Sequence, residues 1–346
     1  MTKKVRRIWM YVACIVIAVG VVSAVWIYRS GFGIDASTSI YVDADDNVDS
    51  IRQKIDDECK PQSIGVFRFY AELMSLEEHL NTGRYEVTPD MTMLQLVRRI
   101  RSHHEQPVNL VVPSVRTLGD MARSLSSQLM IDSASIANYI NDESNLQALG
   151  YTKETLPCLF IPNTYEVYWD ISAEKLIGRL KKENDAFWNE GRVAKLKEVS
   201  EYAGEEMTKE KVVTLASIVD SETANNAEKP NIAALYMNRM RIGMLLQSCP
   251  TVIFALNDFT IRRVSREHTE VESPYNTYKY HGLPPGPIRV PSIAGIDAVL
   301  NHAKNKYIYM CAKEDFSGTH NFSETYAEHQ RYAAKYAKML NERNIH

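Results

Sequence analysis

Cysteine is scarce and scattered: Cys14, Cys59, Cys158, Cys249 and Cys311 are the only five in 346 residues, and no two lie close together. No disulfide framework is readable from that spacing, although a bridge involving Cys59 or Cys158 stays open in an oxidising compartment. Cys-x-x-Cys and His-x-x-x-His pairs are absent, and His320 and His329 stand nine residues apart, so no metal site is expected. A basic field is missing as well. The net charge is -3 and the Lys-Arg cluster is confined to the extreme N-terminus, which leaves nucleic acid without support as a partner. What is present is an ordinary globular composition, 45% hydrophobic and 24% charged, which excludes a disordered chain. The length suits two or three modest domains.

Residues 8–28 form an uncharged apolar run of 21 residues. At about 1.5 Å per helical residue it is long enough to cross a hydrocarbon core of roughly 30 Å. Trp9, Tyr11, Trp26 and Tyr28 lie at its ends as interfacial aromatics do, and Lys3, Lys4, Arg6 and Arg7 precede it against Arg29 alone behind it. That asymmetry predicts a cytoplasmic N-terminus (1–7), a transmembrane helix (8–28) and the bulk of the chain outside the cytoplasm. The competing reading is a cleaved signal peptide, but Val22-Ser23-Ala24 is a poor cleavage site and the run is longer than the usual apolar region.

Beyond a Gly/Ser-containing tether (29–39), the pattern predicts an α+β chain. A strand at 40–42, helices at 47–55 and 63–80, a strand at 83–87 and a helix at 93–101 make a small module, 40–107. The last helix is marked by Leu94, Leu96, Val97 and Ile100 at helical spacing. A connecting α+β region, 108–206, follows, with a strand at 108–112, helices at 118–129 and 133–140, an aromatic segment at 159–168 and one charged amphipathic helix at 172–196. Aromatics such as those of 159–168 either stack on sugar faces or fill a core, and the core is the simpler use. The last part, 207–346, is expected to mix helices and strands. It holds an extended stretch at 245–255, a charged irregular one at 258–270, a helix at 292–302, a strand at 307–311, a turn at 318–323 and a C-terminal helix from Glu324.

Two stretches of that last part concentrate chemistry. In Thr214-Leu215-Ala216-Ser217-Ile218-Val219-Asp220-Ser221-Glu222-Thr223, about 100° per residue places Leu215, Ile218, Val219 and Glu222 on one side of a helix, with Asp220 about 200° from Glu222. Two acids two residues apart cannot serve one cleft. Glu222 continues the apolar stripe, where burial favours the neutral, proton-donating form of a carboxyl group. The second stretch is Tyr275-Asn276-Thr277-Tyr278 followed by Gly282-Leu283-Pro284-Pro285-Gly286-Pro287-Ile288. Its prolines and glycines exclude a regular element and fix an irregular loop able to hold polar groups in place.

These stretches, with Asn238-Arg239, Gly243-Met244-Leu245-Leu246-Gln247, Pro250-Thr251-Val252 and Gly318-Thr319-His320-Asn321-Phe322-Ser323, resemble in kind and order the motifs of the MltG/YceG family of endolytic murein transglycosylases. The resemblance covers about half the chain and departs from the family where Cys249 precedes Pro250 and where Asp220 stands in place of a frequent glutamate. It implies a LysM-like module over 40–107 between the membrane and a YceG-like catalytic domain over 207–346. It implies Glu222 as catalytic acid, with Tyr275, Asn276, Tyr278, Gln247 and His320 binding substrate and no cofactor. Peptidoglycan glycan strands are the implied substrate, penicillin-binding proteins of the wall-synthesis machinery the implied partners, and the cytoplasmic (inner) membrane the implied location.

A water-adding glycosidase normally uses two carboxylates. One suffices when the substrate's own C6 hydroxyl attacks, giving a 1,6-anhydro end. The alternatives are a noncatalytic, membrane-anchored wall-binding scaffold, or a hydrolase pairing Glu222 with a second acid such as Asp258 or Glu270.

Overall fold

The computed structural model describes residues 3–342 as a mixed α+β chain, mostly helical. Its first element, α1 (Lys3–Arg29), is a 27-residue helix exposed over residues 4–26. The rest divides into two compact units: residues 1–110 with 128–130 and 165–171, and residues 111–127 with 131–164 and 172–346.

The first unit runs β1 (Thr38–Val42), α2 (Val48–Cys59), α3 (Ile64–Leu73), β2 (Gly83–Val87) and α4 (Met93–Arg101). Strands β1 and β2 pair antiparallel with Ile40 opposite Tyr85. Alternate residues of β2 point inward, so Gly83, Tyr85 and Val87 are buried, as a half-buried strand requires. Leu94, Leu96, Val97 and Ile100 of α4 all join the core with Ile40, Ile51, Ile55 and Phe67. The helix starts at a reciprocal cap between Thr92 and Gln95.

Two expectations for this unit change. The helix expected over 63–80 ends at Leu73 because Ser75 turns left-handed (φ 48°), and a short 3-10 turn, Leu76–His79, takes over. Ser30, Gly31 and Phe32, inside the expected tether, are buried, and Gly31 and Phe32 bridge Thr92 and Pro61. That stretch is packed into the unit.

Along the chain follow β3 (Val108–Val112), α5 (Leu118–Ser126), α6 (Ser133–Asn141), α7 (Glu143–Leu149) and β4 (Asn163–Val167), with β3 paired to β4. The expected helix over 172–196 is two, α8 (Ala173–Phe187) and α9 (Glu190–Ala203), because the Asn189 side chain caps a new start by accepting from the Arg192 amide. Then come α10 (Lys209–Glu222), α11 (Lys229–Arg241), α12 (Cys249–Leu256), α13 (Ile293–Leu300), β5 (Tyr309–Ala312), β6 (His320–Ser323) and α14 (Tyr326–Glu342).

Helix α10 is the axis of the second unit. Every residue from Val212 to Val219 is buried, so the helix has no solvent stripe where an apolar side was expected. It packs against α11, α12 and α13. The stretch expected to be extended over 245–255 is mostly α12: Pro250 sits in its first turn, where a missing N–H leaves no hydrogen bond unmade. The expected turn over 318–323 ends in strand β6, antiparallel to β5 with Cys311 opposite Asn321. All five cysteines are free, and Cys59 and Cys158 are both buried.

Candidate active site

Glu222 is the last residue of α10, and the chain leaves the helix through extended Thr223 (φ -145°, ψ 140°). Its side chain is partly buried, and two hydroxyls converge on one of its oxygens. Tyr236 Oη donates to Glu222 Oε1 at 2.7 Å and Ser248 Oγ donates to the same atom at 2.6 Å. Oε2 has no hydrogen-bond partner among the described residues. Tyr236 is fully buried on α11. Burial first, and the charge of Glu222 next, hold its phenol well above the ordinary value, so it stays a donor at any physiological pH.

Ser248 stands at the N-cap of α12, yet its hydroxyl makes no capping bond. The usual cap is forgone in favour of Glu222. Three anchors set the hydroxyl in that direction. Gln247 takes a left-handed backbone (φ 52°), a rare conformation for a residue with a side chain. Gln247 N donates to Thr277 O (3.0 Å) and Ser248 N to Thr277 Oγ1 (3.0 Å), while Thr251 and Thr277 hydroxyls meet at 2.8 Å. Buried Arg239 donates to Leu246 O and, at 2.7 Å, to Ile308 O. Arg239 and Asn238, which donates to Tyr307 O at 3.0 Å, thus brace the wall of the site.

The proline loop is pinned to the same helix. Ser217, fully buried, accepts the Ile288 amide at 3.0 Å. Of the residues expected to bind substrate, Tyr278 stands beside this cluster, its Oη 3.1 Å from Cys249 Sγ and its phenol raised by burial and by the thiol and Glu222. Gln247 is exposed and adjoins Ser248. Tyr275 packs its ring 4.8 Å from that of Phe254 against the core, and burial pushes its phenol up to about 12.

Asn276 is 0% exposed, its amide donates to Thr269 O and Val271 O (both 2.8 Å) and its carbonyl accepts the Tyr278 amide. It shapes the loop from inside. His320 is mostly buried, with Nδ1 3.2 Å from Glu228 Oε2 and its own amide donating to Glu228 Oε1 at 2.7 Å. Glu228 also accepts from Thr223 Oγ1 (3.4 Å), which links His320 to the end of α10.

Asp220 is separate from all of this. Its carboxylate meets Lys229 Nζ at 2.8 Å and the Ser292 amide at 2.5 Å, and the two charged side chains are only 5% and 7% exposed. Gly295 permits that approach, since a Cβ there would lie 2.5 Å from Oδ1. The two acids of the motif therefore face different surroundings, as the helical spacing requires. Tyr236 and Ser248 were missed in the sequence. Ser248 falls in the gap between two motif segments, and a tyrosine in a buried helix reads as core.

One partly buried carboxylate with one oxygen held and the other free is suited to giving and taking a proton. The model of the YceG-like family matches residues 40–335. An endolytic murein transglycosylase of Bacillus subtilis (strain 168) is 32% identical over 174 residues, 50% of this chain and 46% of the relative. One from Streptococcus pneumoniae (serotype 2, strain D39) is 24% identical over 305 residues, 78% of this chain and 53% of the relative. The chain thus spans about half the length of the curated relatives it matches. A crystal structure of a protein described as yceG-like, from Listeria monocytogenes, is similar with a TM-score of 0.53 and 26% identity, covering 85% of this chain and 98% of that one.

Proposed function

Because the chain belongs to the YceG-like family, we propose that it is an endolytic murein transglycosylase. It cuts the MurNAc–GlcNAc bond of peptidoglycan strands and leaves a 1,6-anhydroMurNAc end. The observation that carries this reading is the convergence of Tyr236 and Ser248 on Oε1 of Glu222. With both donors on Oε1, Oε2 is the oxygen left to carry a proton toward the substrate. Glu222 delivers it to the glycosidic oxygen as the bond to C1 breaks. The carboxylate so formed has two hydrogen bonds already in place, which lowers the cost of its charge. Oε2 then takes the proton of the C6 hydroxyl as that oxygen closes on C1.

A second carboxylate is not needed, and the candidates for one are otherwise engaged. Asp220 and Glu228 are tied to Lys229 and His320. Asp258 accepts from Thr260 on an exposed turn, and Glu270 lies 3.7 Å from Lys279 with 65% of its side chain exposed. Gln247 and Tyr278 are the nearest groups for sugar hydroxyls and N-acetyl oxygens. Asn276 holds Tyr278, and Tyr275 and His320 complete the frame. No cofactor enters the scheme.

The β-α-α-β order of the first unit supports a LysM-like module, and α1 supports a single-pass anchor in the cytoplasmic membrane with both units outside. Penicillin-binding proteins, working on the same strands, are the expected partners. The test is to digest purified wall with the protein and weigh the products. Anhydro ends support the scheme; ends heavier by one water mean hydrolysis. Glu222→Gln should lower release by about 10²–10⁴-fold while remaining folded, and near-normal release from the folded variant would overturn it.

A further inference from the structure

The first unit holds a second cluster of ionisable side chains. His103 Nε2 lies 3.3 Å from Glu105 Oε1 and 3.4 Å from Asp170 Oδ2, and Thr82 Oγ1 donates to Asp170 Oδ2 at 2.6 Å. Ligand atoms of the three ionisable residues all fall within 4.8 Å of one another. The two carboxylates keep only 6% and 14% of their side-chain surface, and among the described residues no lysine or arginine pairs with either. Glu105 Oε2 is fully enclosed and has no hydrogen-bond partner among the described residues. Gly83 (φ 131°) makes room for it, because a Cβ there would stand 2.5 Å from that oxygen.

Two buried carboxylates side by side, faced by one imidazole that is 47% exposed, leave negative charge uncompensated in a place where that is costly.

The geometry points to a divalent-cation site formed by His103, Glu105 and Asp170, with a chemistry that suits zinc. A tetrahedral ion with bonds of about 2.0–2.2 Å needs its ligand atoms about 3.3–3.6 Å apart. Both distances from His103 meet that requirement. Imidazole with carboxylates suits zinc, whereas calcium takes six to eight oxygens, more than this set offers. The half-exposed side of His103 gives the ion access from solvent and leaves a position for water. Bound there, the ion ties residues 103–105, which follow α4, to Asp170 in the distant segment 165–171. It acts as a staple within the unit, and binding to the folded chain alone raises its stability.

The test uses the full chain, without an affinity tag, in detergent micelles after chelator treatment and dialysis. Titration with zinc chloride by calorimetry should give one ion per chain, and zinc should raise the melting midpoint. Glu105→Gln and His103→Ala should each weaken binding by about tenfold or more and abolish the thermal shift. His103 is half-exposed, so His103→Ala keeps the test decisive if Glu105→Gln does not fold. Failure to bind zinc at one per chain overturns the proposal. So does binding that persists in the folded variants, which would place the ion elsewhere, or a preference for calcium or magnesium chloride over zinc.

Discussion

Asp220→Asn should damage the fold, although it lies two residues from the proposed acid. The change removes the negative partner of Lys229, whose side chain is 7% exposed and whose other polar contact is a long one, 3.4 Å to Ser292 Oγ. Breaking a buried pair by neutralising one member leaves the other charge stranded, which costs about 3–5 kcal/mol. A domain is stable by only about 5–15 kcal/mol, so this is a large fraction of the whole. At about 2–4 °C per kcal/mol for a unit of this size, the melting midpoint should fall by roughly 10 °C. The assay is thermal and urea unfolding of the full chain, with Glu222→Gln alongside, which should melt close to the parent. Adding Lys229→Met should recover much of the loss, because an apolar side chain needs no counter-charge. A loss below about 1 kcal/mol would mean that the pair behaves as an exposed one, and the reasoning from burial would be wrong.

Ser248→Ala removes one of the two donors on Glu222, a bond to a charged group worth about 1.5–3 kcal/mol, so turnover on purified wall should fall roughly 10–100-fold. The variant should remain folded, since this hydroxyl does not cap α12 and Tyr236 still donates to Glu222. Cys249 is exposed, but desolvation of its thiol, with the charge of Glu222 adding and the Tyr278 hydrogen bond opposing, holds it above the ordinary value. Its thiolate is therefore scarce at neutral pH. Iodoacetamide should react slowly at pH 7 and faster as pH rises through the raised value, and Cys249→Ser should keep turnover within a few-fold. Rapid alkylation at pH 7, or a loss like that of Glu222→Gln, would refute this. Protease added outside spheroplasts should digest residues 40–346; their protection under conditions that cut a known external domain would reverse the proposed topology.

Much of this could be read from the sequence because the signals are local. The apolar run of 8–28 is helix α1, the spacing of Leu94, Leu96, Val97 and Ile100 is the buried face of α4, and the ordered motifs identify the family. A helical period is enough to send Asp220 and Glu222 in different directions, because backbone geometry alone sets that angle. Where local rules compete, the sequence was less informative. The stretch expected to be extended over 245–255 holds Pro250, which in a first turn starts α12. Asn189 divides one charged pattern into two helices.

What each side chain meets was decided only by the tertiary structure. Glu222 finds its donors 14 and 26 residues away, Asp220 takes an amide 72 residues away, and His103 and Asp170 come together from distant segments. Asn276, in a loop rich in polar groups, turns inward because three backbone groups there need its amide more than solvent does. Period and propensity describe a residue relative to its own helix or strand. Burial, pairing and the value of a charge depend on what other elements bring against it, and that information exists only once the chain has packed.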